Sequence, residues 1–139
     1  MKKIVFLLLL AVISVNFIVA QDGETEAKVG ENSPKAKFDT LTYNYGKIKE
    51  SDTPAKCEFV VKNIGTAPLI IQSARAGCGC TTPEYSKEPI LPGKTSKIYI
   101  SYDTKGRVGP INKTVTVFTN VPDEVYKLKI VGEVIRSKE

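Results

Sequence analysis

Apolar and polar residues alternate with a period of two along four stretches of this chain, and that rhythm constrains its fold more than any other feature. Cys57, Phe59 and Val61 alternate with Lys56, Glu58 and Lys62, and only Val60 interrupts the polar side. Ile98, Ile100 and Tyr102 alternate with Lys97, Tyr99 and Ser101. Val115 and Val117 alternate with Thr114 and Thr116, and Tyr126, Leu128 and Ile130 with Lys127 and Lys129. Successive side chains of a strand point to opposite faces, so this pattern gives strands with one face buried, and the β-branched and aromatic residues suit it. Leu69-Ile70-Ile71 is apolar without alternation, which predicts a strand covered on both faces. No segment sustains a helical period over three turns.

Turn chemistry separates these runs. Asn63-Ile64-Gly65-Thr66, Leu91-Pro92-Gly93, 105–110 (KGRVGP) and Asn120-Val121-Pro122-Asp123 each hold glycine, proline, Asn or Asp. About seven strands follow, near 36–40, 42–48, 55–62, 68–74, 94–103, 111–120 and 125–135. Seven short strands at this spacing predict an all-β fold, an immunoglobulin-like antiparallel β-sandwich. The chain has no tryptophan, so an antibody-type Cys…Trp…Cys core is excluded.

The amino end predicts export. Met1-Lys2-Lys3 precedes an apolar run from Ile4 to Ala20, with a small residue, Ala20, before the polar Gln21-Asp22. This is the layout of a cleaved signal peptide over residues 1–20, and the run is short for a membrane span of about 20 residues. Gln21–Pro34 has only Ala27 and Val29 as apolar residues, so it reads as a disordered tether, leaving one folded domain over 35–136. With Lys2 and Lys3 removed, 18 Lys and Arg stand against 15 acids, and the formal charge falls from +5 to +3. That dispersed surplus predicts no binding to nucleic acid and none to a membrane once the leader is gone. A periplasmic or extracellular monomer is expected, with another envelope protein as the partner class.

Cys78-Gly79-Cys80 is where chemistry would reside in an exported chain. Residues two apart in an extended strand have Cα atoms about 6.6 Å apart, near the upper edge of the disulfide range, and Gly79 allows the chain to bend. A ring this small is easily reduced, which suits a redox couple better than a staple. Two adjacent thiolates would also suit Cu(I), whereas a closed zinc site wants four ligands and this chain has three cysteines and no histidine. The plainest alternative makes the small residues a compact corner between strands. Cys57 shares a face with Phe59 and Val61, so it is expected buried and reduced, with Cys78 and Cys80 on an exposed or half-exposed corner. A bridge from Cys57 to Cys78 or Cys80 requires the strands around Gly65 to enter different sheets. Activation of a catalytic thiol needs a helix amino terminus or cations, and Arg75 is the one cation close by in sequence.

Enzymatic signals are thin. Asp103, Lys105 and Arg107 cluster in one loop, but histidine, a serine-nucleophile motif and a phosphate loop are lacking, so no catalytic residues and no cofactor are assigned. Asn112-Lys113-Thr114 is a formal glycosylation sequon inside a strand pattern, and chance accounts for it.

Several motifs occur together in a familiar order: 43–48 (YNYGKI), 59–69 (FVVKNIGTAPL), 78–81 (CGCT), 106–109 (GRVG) and Thr119-Asn120. The chain thereby resembles the bacterial exported family labelled domain of unknown function 1573, over nearly the whole folded region. That family commonly has Phe where this chain has Tyr45. The resemblance implies an immunoglobulin-like domain distantly similar to Hydin-type and major-sperm-protein-type modules, which are non-enzymatic attachment domains. Two functions are therefore expected: a protein-binding or attachment module of the cell envelope, or a small thiol redox or Cu(I)-binding protein acting through Cys78 and Cys80.

Overall fold

The computed structural model describes residues 32–137. The leader Met1–Ala20 and the tether as far as Glu31 lie outside the described residues. Eight strands are described: β1 (Ala36–Phe38), β2 (Thr42–Lys49), β3 (Ala55–Asn63), β4 (Ile71–Ala76), β5 (Thr81–Tyr85), β6 (Thr95–Tyr102), β7 (Gly109–Thr119) and β8 (Val125–Ile135). They form two four-stranded sheets, β1-β3-β6-β5 and β2-β8-β7-β4. The fold is an all-β immunoglobulin-like sandwich.

The period of two becomes the core. Cys57, Phe59, Val61, Ile98, Ile100 and Tyr102 point inward from the first sheet; Ile71, Val115, Val117, Leu128, Ile130 and Val134 meet them from the second, and all are buried. Each large side chain so buried contributes about 1.5–3 kcal/mol relative to exposure. The outer faces carry Lys, Glu and Thr, as in the ion pair of Lys97 with Glu58 at 3.0 Å.

The sandwich is not wholly antiparallel. β2 runs parallel to β8, from Thr42 opposite Lys129 to Lys49 opposite Ile135, with a bulge between Asn44 and Lys47. β1 and β2 act as two halves of one edge strand: the first pairs with β3, and after residues 39–41 the second joins the other sheet. Two glycines permit the bulge. Gly46 has φ +64°, its N–H donating to Asn44 Oδ1 at 2.8 Å, and a Cβ on Gly132 would stand 2.8 Å from the Gly46 carbonyl oxygen.

β3 and β4 do not form a hairpin. They belong to opposite sheets, and the crossover between them is held by two asparagines. Asn63 is fully buried: its Nδ2 donates to the carbonyls of Ala67 and Ile90 at 2.8 Å each, and its Oδ1 accepts the Gly65 N–H at 2.9 Å. Asn120 receives the Ile70 N–H on Oδ1 at 2.8 Å and donates Nδ2 to the Pro68 carbonyl at 3.0 Å. Pro68-Leu69-Ile70 is thus tied from both sides, and Leu69 makes a single bridge to Ile90. The strand predicted over 68–74 accordingly begins only at Ile71. Ile70 is 36% exposed while Leu69 and Ile71 are buried, so the apolar triplet is not covered on both faces.

β5 is the strand the turn signals hid. Pro83 sits in its middle, which an edge strand tolerates because the missing N–H faces away from the ladder. The ordered edge also begins before Lys35. The Thr66 N–H donates to the Ser33 carbonyl at 2.9 Å, the Ser33 N–H to Thr66 Oγ1 at 3.2 Å, and a Cβ on Gly65 would lie 2.3 Å from the Ser33 carbonyl oxygen. Registers place the ends of the sandwich. Ala36 and Thr95 flank Asn63 and its neighbour Lys62 at one pole, whereas Ala55, Tyr102 and Thr81 align at the other.

Candidate functional site, the Cys78–Cys80 corner

The polypeptide changes sheets again between β4 and β5, and Cys78-Gly79-Cys80 lies in that crossover, at the pole opposite Ser33 and Asn63. The segment is a turn, closed by the Thr81 N–H donating to the Cys78 carbonyl at 3.3 Å. Bending at Gly79 brings the two Cα atoms to 5.3 Å, shorter than the extended spacing, and the thiols are joined as a disulfide. Because both sulfurs are oxidised, neither is the thiolate that would hold a soft metal in this form. Among the described residues no group of three or more His, Cys, Asp or Glu side chains is placed to hold a metal ion.

The two sulfurs differ in their surroundings. Cys80 is 7% exposed, within the core cluster, whereas Cys78 is half-buried and packs against its margin. The expectation of a wholly exposed or half-exposed pair is therefore corrected for Cys80: it immediately precedes β5, whose first residue Thr81 is itself buried. The Cys80 carbonyl is fixed by the Asp103 N–H at 2.9 Å. Thr81 Oγ1 stands 3.7 Å from each sulfur, and since a disulfide sulfur carries no proton the hydroxyl is the donor. On the other flank space is open. A Cβ built on Gly77 or on Gly79 would meet no atom within 4 Å.

Arg75, the cation that sequence places nearest the thiols, is directed elsewhere, with its guanidinium 5.8 Å from the Phe118 ring centroid. Lys105 and Arg107 serve Asp103. That carboxylate accepts the Lys105 N–H at 3.1 Å and the Thr53 hydroxyl at 3.0 Å, and it faces Arg107 at 3.7 Å. These contacts, the backbone N–H of Lys105 foremost, hold the Asp103 carboxyl below its ordinary range. Thr104 and Glu50 complete the loop: Thr104 Oγ1 donates to the Glu50 carbonyl at 2.9 Å, and the Gly106 N–H to Glu50 Oε1 at 2.7 Å.

Cys57 is 7% exposed and free, and is bonded to neither of the other cysteines. The Tyr45 hydroxyl donates to the Ala55 carbonyl at 3.3 Å and also faces the Cys57 thiol. Burial pushes the Cys57 thiol up from its ordinary value, and burial followed by the Cys57 contact does the same to the Tyr45 phenol. Thr81 follows Cys80 directly in the chain, within the 78–81 motif, whereas Tyr45 is a neighbour that linear order does not reveal: it stands in the 43–48 motif, and only the packing of β2 near β3 brings it to Cys57.

The fold has solved counterparts. The chain is similar to a protein of unknown function from Porphyromonas gingivalis W83, at 16% identity and a TM-score of 0.62, over 73% of this chain and 47% of that one. It thus spans about half the length of that protein. It is also similar to the ASH/PapD-like domain of human CEP192 (PapD-like domain 7), at 12% identity and a TM-score of 0.58, over 77% of this chain and 89% of that one. The YadV chaperone aligns at 13% identity and a TM-score of 0.50, over 74% of this chain and 52% of that one. At these identities the likeness is one of fold. None of the curated proteins matches the chain. A family model described as "Protein of unknown function (DUF1573)" matches residues 36–134, a span that holds the Asn63 crossover, the Cys78–Cys80 corner and nearly all of β8, and the chain belongs to that family.

Proposed function

We propose that this is an exported, non-enzymatic immunoglobulin-like domain that attaches to another envelope protein through a sheet edge. One observation supports the edge. β1 covers only Val61–Asn63 of β3, so Ala55–Phe59 pair with β6 alone. Beside them β2 presents an eight-residue outer edge with Tyr43 at its start. Unpaired backbone N–H and C=O groups are what an added strand recognises. The opposite side is blunted by Pro83 in β5. Export rests on the Met1–Ala20 leader pattern, and the small, dispersed surplus of positive charge gives no argument for a nucleic-acid partner. A photo-crosslinking residue at Lys56 or Lys47 should give a discrete cross-linked product in cells, and one at Lys127, in the central β8, should not. Equal cross-linking from the edge and from Lys127, or none from the edge, removes the attachment reading.

A second reading is favoured by the disulfide itself: the protein undergoes thiol–disulfide chemistry at Cys78 and Cys80. A three-residue loop gains little from closure, about 1.5 kcal/mol by the chain-entropy relation, so stapling alone explains the bond poorly. Thiol counting with and without reductant on the folded protein tests this, with two new thiols expected and Cys57 silent.

A further inference from the structure

We infer that the disulfide is an asymmetric exchange site, in which an incoming thiolate attacks Cys78 and Cys80 is the leaving and returning sulfur. The inference rests on the thiol–disulfide reading and adds to it the order of events. Which sulfur is attacked depends on access and on how well the other leaves. Access favours Cys78, which is half-buried between two glycines whose missing side chains leave open space, whereas Cys80 is buried. The Thr81 hydroxyl stands 3.7 Å from both sulfurs, so access and not leaving ability sets the order; once Cys78 is attacked, that hydroxyl can donate to the thiolate forming on Cys80, whose backbone is pinned by the Asp103 N–H.

The attacking group is the thiolate of a small cysteine-containing molecule. In the first step its sulfur forms a bond to Cys78 Sγ, the Cys78–Cys80 bond breaks, and the electron pair departs on Cys80 Sγ, which then takes up a proton. Cys80 can attack Cys78 in return and expel the incoming thiolate, restoring the starting state. Alternatively, a second thiolate attacks the external sulfur of the mixed disulfide, releasing Cys78. In that case two thiols are oxidised to one disulfide and the protein gains two electrons as its Cys78 and Cys80 thiols.

The full exported chain, folded and oxidised, is mixed with glutathione as the probe, quenched with iodoacetamide and mapped by mass spectrometry. Glutathione is expected on Cys78 and the alkyl group on Cys80, with attack at Cys78 at least about tenfold faster than at Cys80. As controls with one corner thiol beside the buried Cys57, the Cys78 thiol of Cys80→Ser should react with glutathione disulfide faster than the Cys80 thiol of Cys78→Ser. Thr81→Val should slow opening by about threefold or more, with Thr81→Ser restoring it, because only the hydroxyl lowers the leaving thiol's pKa. Glutathione found on Cys80, or equally on both, overturns the assigned order while leaving the exchange reading intact. A folded protein whose disulfide glutathione never opens overturns both.

Discussion

Buried asparagine is costly unless each of its polar atoms has a partner, and Asn63 meets that condition with three hydrogen bonds. Asn63→Ala strands the Ala67 carbonyl and the Gly65 N–H, and is expected to cost about 2–4 kcal/mol in chemical denaturation. Asn63→Asp keeps the shape but loses both donors, so it should be no milder. Asn120 makes comparable bonds at a more exposed site, and Asn120→Ala should cost about 1 kcal/mol. Equal losses at the two positions would show that burial does not set the cost. Cys57 and Tyr45 give a second residue-scale prediction. Both hold their protons more tightly folded than unfolded, so above about pH 8.5, where an unfolded thiol ionises, the native state binds more protons and loses stability. The slope should approach at most about 1.4 kcal/mol per pH unit for each group. Cys57→Ala should flatten the first part of the decline and Tyr45→Phe the part near pH 10, read from denaturation midpoints across pH.

Among the elements, the first strand depends on what precedes it. Ser33 and Pro34 fill the space that Gly65 leaves, and the Ser33 carbonyl accepts the N–H groups of Thr66 and Ala67 at 2.9 and 3.3 Å. Deleting residues 21–31 should leave the melting temperature unchanged, since that stretch has almost no apolar surface to bury. Extending the deletion through Pro34 removes the Ser33 bonds and should lower it by several degrees, given about 1 kcal/mol per bond and the size of the domain. A deletion through Pro34 without effect would mean the Ser33 contacts contribute nothing. Gly65→Ala acts on the same junction from the other side, because its methyl would meet backbone and not a flexible side chain.

Taken as a whole, the sandwich draws its stability from the two inward faces, and the disulfide is peripheral to them. Phe59→Ala opens a cavity among fully buried side chains and should cost about 3–5 kcal/mol. Lys62→Ala, on the polar side of the same strand, should stay within about 0.5 kcal/mol. Reducing Cys78–Cys80 should cost about 1.5 kcal/mol, at most half the Phe59 loss, so the protein should remain folded with its exchange site open. Unfolding on reduction would identify the bond as a staple.

Much of this architecture is legible in the order of residues alone. A side chain on a strand has two choices of face, so the alternation at 55–62, 96–102 and 126–130 determines which residues are buried without reference to partners. The family likewise follows from local motifs. Which strands meet is not written there. β2 lies parallel to β8 because the edge strand changes sheets, β5 exists because Pro83 finds an edge, and Ile70 is exposed because Asn120 binds its N–H and the Pro68 carbonyl while Asn63 binds the Ala67 carbonyl. The candidate site divides in the same way. Cys78 and Cys80 are adjacent by covalent order, so their pairing is legible as an option. So is the neighbouring Thr81 hydroxyl, but the burial that separates the two sulfurs and the Asp103 tether arise from contacts between elements far apart in the chain, and only the packed sandwich decides those.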